Sequence, residues 1–258
     1  MKDELLLVDI GNTTIDLLYK GKGERKREKI PPEDQKSMIT FLHSLPSSSF
    51  SCYISSVDKK GLFLFLDALK SIGIEGKVLS PSKMKETSQR LSIRVDNTEY
   101  LGSDLFCDIL ARENKDGLLV IDCGTASKLL LLDDKNVFHG ALILPGIALF
   151  PKALSVSTDL LSDTRLTKKP PLLSLKTEEC LSSGALNGQA AMFAGLVKKV
   201  KEEYSLPHAK VLLTGGNSYL IKDLLPEFGL EDFEWDQNAV LEGLARSYGL
   251  EDYLSLKE

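Results

Sequence analysis

Leu5-Leu6-Leu7-Val8-Asp9-Ile10-Gly11-Asn12-Thr13-Thr14 has a counterpart about a hundred residues later, Leu118-Leu119-Val120-Ile121-Asp122-Cys123-Gly124-Thr125-Ala126-Ser127. Each is a short apolar run, read as a buried strand, that ends in Asp-x-Gly followed by hydroxyl or amide side chains. Glycine lets backbone approach a ligand closely, and clustered N–H and hydroxyl donors suit phosphate oxygens. The aspartate at each strand end can hold a cation or its waters, which phosphoryl transfer needs. One Asp-x-Gly is a common turn signal. Two, after similar runs and about one domain apart, favour a pair of phosphate loops.

The rest of the composition narrows the class. The chain has 258 residues, 43% of them hydrophobic, enough for a substantial core in one large or two ordinary domains. Its formal charge of -5 gives no global attraction to nucleic acid or anionic membranes. The basic stretch Lys20 to Lys29 is broken by Glu24 and Glu28 and reads as a solvated hairpin. Cys52, Cys107, Cys123 and Cys180 are scattered without C-x-x-C spacing, and His43, His139 and His208 lack ligand spacing. These patterns argue against a disulfide framework and a structural zinc site. With no leader pattern and no long apolar span, a cytoplasmic protein is expected, with neither nucleic acid nor membrane as partner.

Outward from the doubled phrase, Ile15 to Tyr19 and Lys26 to Ile30 read as strands completing a meander after Leu5 to Ile10. Helix signals follow Pro31-Pro32-Glu33-Asp34, then a strand over Cys52 to Val57, a helix near Leu62 to Ile72 and a short strand at Lys77 to Leu79. Gly102-Ser103-Asp104 precedes a helical pattern over Leu105 to Asn114. Asp104 suits two roles, a helix cap or a general base for a substrate hydroxyl. The turn Asn114-Lys115-Asp116-Gly117 marks the boundary between an N-terminal domain, 1–115, and a C-terminal domain, 116–258.

The second half repeats the order of the first: strand, phosphate phrase, hairpin partner Lys128 to Leu132, third strand Val137 to Gly146. Ile147 to Leu154 reads as helix, and Ser162 to Leu173 as an irregular polar loop, a candidate lid or substrate edge. Thr177-Glu178-Glu179-Cys180 carries a capping signature ahead of one or two long helices. Gly184, Gly188 and Gly195 within them suggest close packing or ligand approach. Lys210 to Thr214 is a strand entering a Gly215-Gly216 turn, which suits either an adenosine contact or an ordinary connection. Val240 to Tyr248 closes the chain as a helix.

In order along nearly the whole chain, several motifs resemble the type III pantothenate kinases. They are Asp9-Ile10-Gly11-Asn12-Thr13, Ile54-Ser55-Ser56-Val57, Gly102-Ser103-Asp104, Asp122-Cys123-Gly124-Thr125-Ala126, Gly140 to Gly146, Thr177 with Ser183-Gly184, Thr214-Gly215-Gly216 and Leu241-Glu242-Gly243-Leu244. The resemblance implies an α/β fold of two ribonuclease-H-like, actin-like ATPase domains, with mixed sheets flanked by helices and an ATP cleft between them. It implies a homodimer that phosphorylates pantothenate with ATP, the first step of coenzyme A synthesis, with Mg2+ and a monovalent cation (K+ or NH4+).

Carried over by motif, the first phosphate loop would comprise Asp9, Gly11, Asn12, Thr13, Thr14 and Asp16, with Asp9 holding Mg2+ through water. Gly124 and Thr125 would contact ATP, and Asp122 would bind the monovalent cation. Gly102, Ser103, Asp104, Leu105 and Thr177 would meet pantothenate, with Asp104 as the base.

Four positions depart from the family pattern. Leu105 stands in place of an arginine after Gly-x-Asp, His139 replaces the first of a glycine pair, and Asp58 and Thr98 replace prolines. Loss of a substrate-gripping arginine forfeits roughly 1.5–3 kcal/mol. The second reading is therefore a weak or inactive relative acting as a regulatory or binding protein. A third is a kinase with another acceptor, such as a sugar, acetate or polyphosphate. The absence of G-x-x-x-x-G-K-[ST] excludes an ordinary P-loop kinase.

Overall fold

The computed structural model describes residues 4–21, 23–47, 49–157 and 166–250. Its strands are β1 (Leu5–Ile10), β2 (Ile15–Gly21), β3 (Glu24–Ile30), β4 (Ser51–Ser56), β5 (Gly76–Val78), β6 (Leu118–Cys123), β7 (Ala126–Leu132), β8 (Phe138–Pro145), β9 (Lys210–Thr214) and β10 (Glu234–Trp235). The α-helices are α1 (Gln35–His43), α2 (Lys59–Ser71), α3 (Pro81–Arg90), α4 (Ser103–Leu110), α5 (Leu149–Ser157), α6 (Thr177–Glu203) and α7 (Ala239–Ser247). They form two compact units, one made of the chain through Glu113 together with the segment from Ala239, the other of Asn114–Asn238.

The first unit carries a five-stranded sheet in the order β3-β2-β1-β4-β5. β1 to β3 are an antiparallel meander, and β4 and β5 add in parallel beyond β1. β1 is central because nearly every residue in it is apolar and buried, whereas β3 places Glu24, Arg25, Lys26, Arg27, Glu28 and Lys29 on an edge. A charged edge resists pairing with another chain, so the basic stretch is part of a hairpin, as its interleaved glutamates suggest. Leu6, Val8, Ile10, Ile15, Leu17, Phe41 and Phe65 form the core on one side of the sheet. α4 and α7 pack on β4, and α7 also on β1. Asp34 caps α1 by accepting from the Ser37 N–H at 3.0 Å. Asp58, one of the departures, caps α2 by accepting from the Lys60 and Gly61 N–H groups at 3.0 and 3.1 Å.

The second unit repeats the topology. Its sheet runs β10-β9-β6-β7-β8, an antiparallel meander with two parallel strands added beside its first. Leu119, Ile121, Leu129, Leu131, Val211 and Leu213 meet Leu186, Ala190, Phe193 and Val197 of α6 in its core. The duplicated architecture expected from the doubled phrase is present.

Several expectations change. α7, assigned by sequence to the second domain, packs on α4, β1 and β4 and belongs to the first unit. The reason is steric: a Cβ on Gly243 would collide with the Cys107 backbone, so only glycine lets α7 sit this close to α4. α4 ends at Leu110 rather than Asn114. α3 was not expected, because only Met84, Thr87 and Ser88 of its ten residues are buried and the apolar period is weak. α6 is one helix of 27 residues, and Lys176, not Thr177, is its N-cap. Its start is bracketed instead by Ser174, which donates to Glu179 Oε2 at 2.6 Å. Among the described residues a Cβ at Gly184, Gly188 or Gly195 would meet nothing within 4 Å, so close packing among them does not account for these glycines. Of the candidate lid, 162–165 lies outside the described residues, and Leu166 to Leu173 forms no regular element. Among the described residues no helix is long and apolar enough to cross a membrane.

Candidate active site

In the first unit, β1 delivers Asp9 to its C-terminal end, and the turn that follows is closed by the Gly11 N–H donating to Thr14 O at 3.0 Å. Asn12, Thr13 and Thr14 stand exposed on that turn. Asp9 lies between two neighbours in the sheet, Asp16 across the antiparallel pair and Ser55 across the parallel one. Asp16 is held by β3: Arg27 donates to both its oxygens at 2.9 and 2.6 Å, and Lys29 Nζ lies 3.5 Å away. Asp16 therefore shapes the hairpin through an ion pair, whereas the phosphate-loop role expected of it would need its charge turned towards a ligand.

α4 brings the second carboxylate. Gly102 is its N-cap without a side-chain cap bond, so Asp104 lies in the first turn and is not the cap. Its Oδ1 accepts from the Leu105 N–H at 2.8 Å, and a Cβ on Gly102 would lie 2.5 Å from that oxygen. A carboxylate is favoured there by the positive end of the helix dipole. Ser103 is 5% exposed. Its Oγ accepts from the Ser56 N–H at 2.9 Å, donates to Ser56 O at 3.0 Å and meets Ser55 Oγ at 3.0 Å. A hydroxyl has one donor and two acceptor sites, so these contacts use the whole group. Ser103 thus pins α4 to β4 rather than offering its side chain to substrate. Burial and the nearby carboxylates Asp9, Asp108 and Asp104 push the Cys107 thiol well above its usual range. Cys107 is a packing residue amid the carboxylates of this site. Leu105 is half-buried on the same helix.

In the second unit, β6 delivers Asp122, which is 6% exposed, and the turn Gly124-Thr125 leads into β7. Two glycines wall this turn. A Cβ on Gly146 would collide with the carbonyl oxygens of Thr125 and Gly124, and Gly215, at φ +90°, presses its backbone against Asp122 and Cys123. Asn217 ties the same turn, its N–H donating to Cys123 O at 2.9 Å and its Nδ2 to Gly124 O at 3.2 Å. The Gly215-Gly216 turn is thus a clamp on the phosphate phrase. Buried Gln189 of α6 accepts from Ser127 Oγ at 3.0 Å and donates to Pro145 O at 2.6 Å. Thr125 itself is exposed. Thr177 is exposed at the start of α6, twelve residues before Gln189. At about 1.5 Å per residue that is about 18 Å along the helix, so Thr177 is not gathered at the Asp122 turn.

The cations implied by the resemblance fare differently. Asp9 beside exposed hydroxyls is a hard-oxygen donor of the kind Mg2+ takes, with waters and phosphate oxygens completing its shell. Among the described residues no group of three or more His, Cys, Asp or Glu could hold a metal ion. Such a shared site needs no such group. At Asp122, Lys128 Nζ donates to Oδ2 at 2.8 Å, with the two side chains 8% and 14% exposed. A free monovalent ion on that carboxylate would face an ammonium group, and the site does not fit it.

Sequence reasoning missed Lys128, Gln189 and Asp108. The first had a signal: once a tight hairpin is placed at Gly124-Thr125, the register sets Asp122 opposite Lys128.

Comparison with known proteins agrees with this arrangement. The chain is 28% identical over 254 residues to the type III pantothenate kinase of Acholeplasma laidlawii, covering 95% of this chain and 98% of that one. It is 35% identical over 132 residues to that of Shouchella clausii, covering 50% and 52%. Among solved structures, a Campylobacter jejuni protein described as a Baf family transcriptional activator superimposes with a TM-score of 0.55 at 19% identity, covering 94% and 96%. The activator of the 2-hydroxyisocaproyl-CoA dehydratase from Clostridium difficile, with bound ADPNP, gives 0.50 at 13%, covering 97% and 96%. At those identities the likeness shows the fold, two ribonuclease-H-like units with mixed sheets flanked by helices. The type III pantothenate kinase family model matches residues 5–199, and the chain belongs to that family.

Proposed function

We propose that this protein transfers the γ-phosphate of ATP to the primary hydroxyl of pantothenate, the first step of coenzyme A synthesis. The observation that carries the reading is Asp104 in the first turn of α4, in the same unit as the Asp9 turn and on a helix pinned to β4 by Ser103. Asp104 takes the hydroxyl proton as the substrate oxygen attacks phosphorus, and the bond to the β-phosphate oxygen breaks to release ADP. Asn12, Thr13 and Thr14 supply N–H and hydroxyl donors to phosphate, as do Gly124 and Thr125, while Gly11 closes the turn that presents the first three. Asp9 would hold Mg2+ through water, and that ion would neutralise charge on the phosphate oxygens. Gly102, Leu105 and Thr177 are assigned to pantothenate, with Leu105 offering an apolar contact where an arginine would grip. Family membership favours this acceptor over the regulatory alternative, and the intact aspartates agree with it.

A homodimer in the cytoplasm completes the proposal. The small, exposed residues Gly184, Gly188, Ala191 and Gly195, at helical spacing on α6, support close helix approach by a second copy. The test is ATP-dependent phosphorylation of pantothenate by the purified protein beside Asp104→Asn. Turnover that falls about 10²–10⁴-fold in the variant, with unfolding unchanged, is expected. No turnover in a folded wild-type sample at high substrate overturns the pantothenate assignment, and a fully active variant removes Asp104 from the mechanism.

A further inference from the structure

Asp122 and Lys128 are cross-strand partners in the β6–β7 hairpin, and Lys128 Nζ lies 2.8 Å from Asp122 Oδ2. Direct pairing puts both side chains on one face of the sheet, and both are largely withdrawn from water. The other oxygen, Oδ1, abuts the backbone of Gly215, where even a Cβ would collide with it. β7 itself is fixed: Ser127, next to Lys128, is fully buried and bonded to Gln189, and Leu129 is buried in the core. Lys128 therefore approaches Asp122 from a rigid strand.

We propose that Lys128 is the monovalent cation of this site, a covalently tethered ammonium group that makes nucleotide binding and turnover independent of added K+ or NH4+. The chemistry is close. An alkylammonium carries the same single charge as an ammonium ion and donates N–H bonds to a carboxylate. A free ion must give up translational freedom and depends on its concentration, whereas the tethered group is always present. A second cation would share one carboxylate with it in a setting where screening by salt is weak. The part of the proposal that concerns turnover rests on the kinase reading above; the part that concerns ion binding at Asp122 does not.

The experiment compares wild type with Lys128→Ala and with Lys128→Met, which keeps an apolar stem without the charge. All are exchanged into tetramethylammonium salt and titrated with K+ or NH4+ at constant ionic strength. Two quantities are read: the shift in unfolding temperature without nucleotide, and ATP affinity by calorimetry. Wild type is expected to show no K+-specific shift and an ATP affinity that does not change. The variants are expected to lose about ten- to a hundredfold in ATP affinity, to regain part of it with K+ or NH4+, and to acquire a saturable K+-specific thermal shift. A K+-specific shift or tighter ATP binding in wild type overturns the proposal. So do folded variants that bind ATP like wild type without K+. If the protein binds no ATP, the kinase reading fails while the thermal shifts still decide ion binding. If neither variant folds, the wild-type titrations decide alone.

Discussion

The two phosphate phrases end in the same Asp-x-Gly yet sit in opposite electrostatic settings. Across the first hairpin Asp9 is paired with another carboxylate, Asp16, whose charge is balanced from a third strand by Arg27 and Lys29. Across the second, Asp122 is paired with Lys128 and balanced within the hairpin itself. The first arrangement keeps a half-buried carboxylate beside exposed hydroxyls. The second closes a buried carboxylate with an internal cation and the backbone of Gly215, while Gly146 walls the turn beyond it. A shared fold and motif therefore carry two different charge settings, set by the residue across each hairpin.

The sharpest way to break the comparison is to neutralise each aspartate in turn. Asp122→Asn leaves Lys128 largely buried beside an amide, and removal of one partner of such a pair costs about 3–5 kcal/mol. Asp9→Asn is expected to cost far less stability, because it also removes the proximity of two carboxylates. Urea midpoints of the two variants check the difference, and equal losses would show that the settings are alike. Next comes steric closure. Gly146→Ala places a methyl against the Thr125 carbonyl and is expected to cost about 1–3 kcal/mol and weaken ATP binding. In Gly11→Ala the new Cβ would lie 3.3 Å from Thr14 O, a contact that slight adjustment relieves, so its loss is smaller. Thermal unfolding and nucleotide titration of both variants separate the walled turn from the open one.

Smaller effects follow from the hairpins' outer charges. Arg27→Ala removes an ion pair whose side chains are 28% and 15% exposed, and about 0.2–1 kcal/mol is expected in low-salt urea denaturation, less at high salt. In the second unit, burial pushes the Asp133 carboxyl up, but hydrogen bonds from His139 and from the Val137 and Lys135 N–H groups together hold it below the usual carboxylate range. A depressed folded-state value means that this stabilisation is present above about pH 4 and is lost as pH falls below it. Asp133→Asn is expected to flatten that part of the acid stability profile. An unchanged profile would show that the turn contributes nothing to acid sensitivity.

Much of this was legible in the chain. The doubled phrase and the two meanders are carried by short unbroken apolar runs, such as Leu5 to Val8 and Leu118 to Ile121, and these local patterns yield both sheets. Asp104 was legible as chemistry but open as to role; the N-cap at Gly102 resolves that it does not cap α4. Contacts set by register or by helix docking were harder to read. The place of α7 depends on Gly243 meeting the Cys107 backbone, a contact between residues far apart in sequence. α3 hid because Thr87 and Ser88 are buried polar residues, Thr87 donating to Ser247 O at 3.0 Å, and polar residues leave no apolar stripe.

The return of α7 to the first unit also orders events on the ribosome. α4 emerges early in synthesis, yet the helix that packs against it, Ala239–Ser247, follows the entire second unit. The second unit, a continuous segment, can fold while the first still waits for its last helix. A chain stalled or cleaved before Ala239 would leave the apolar face of α4 bare beside Asp104, a form marked for chaperones and proteases rather than a partly active kinase.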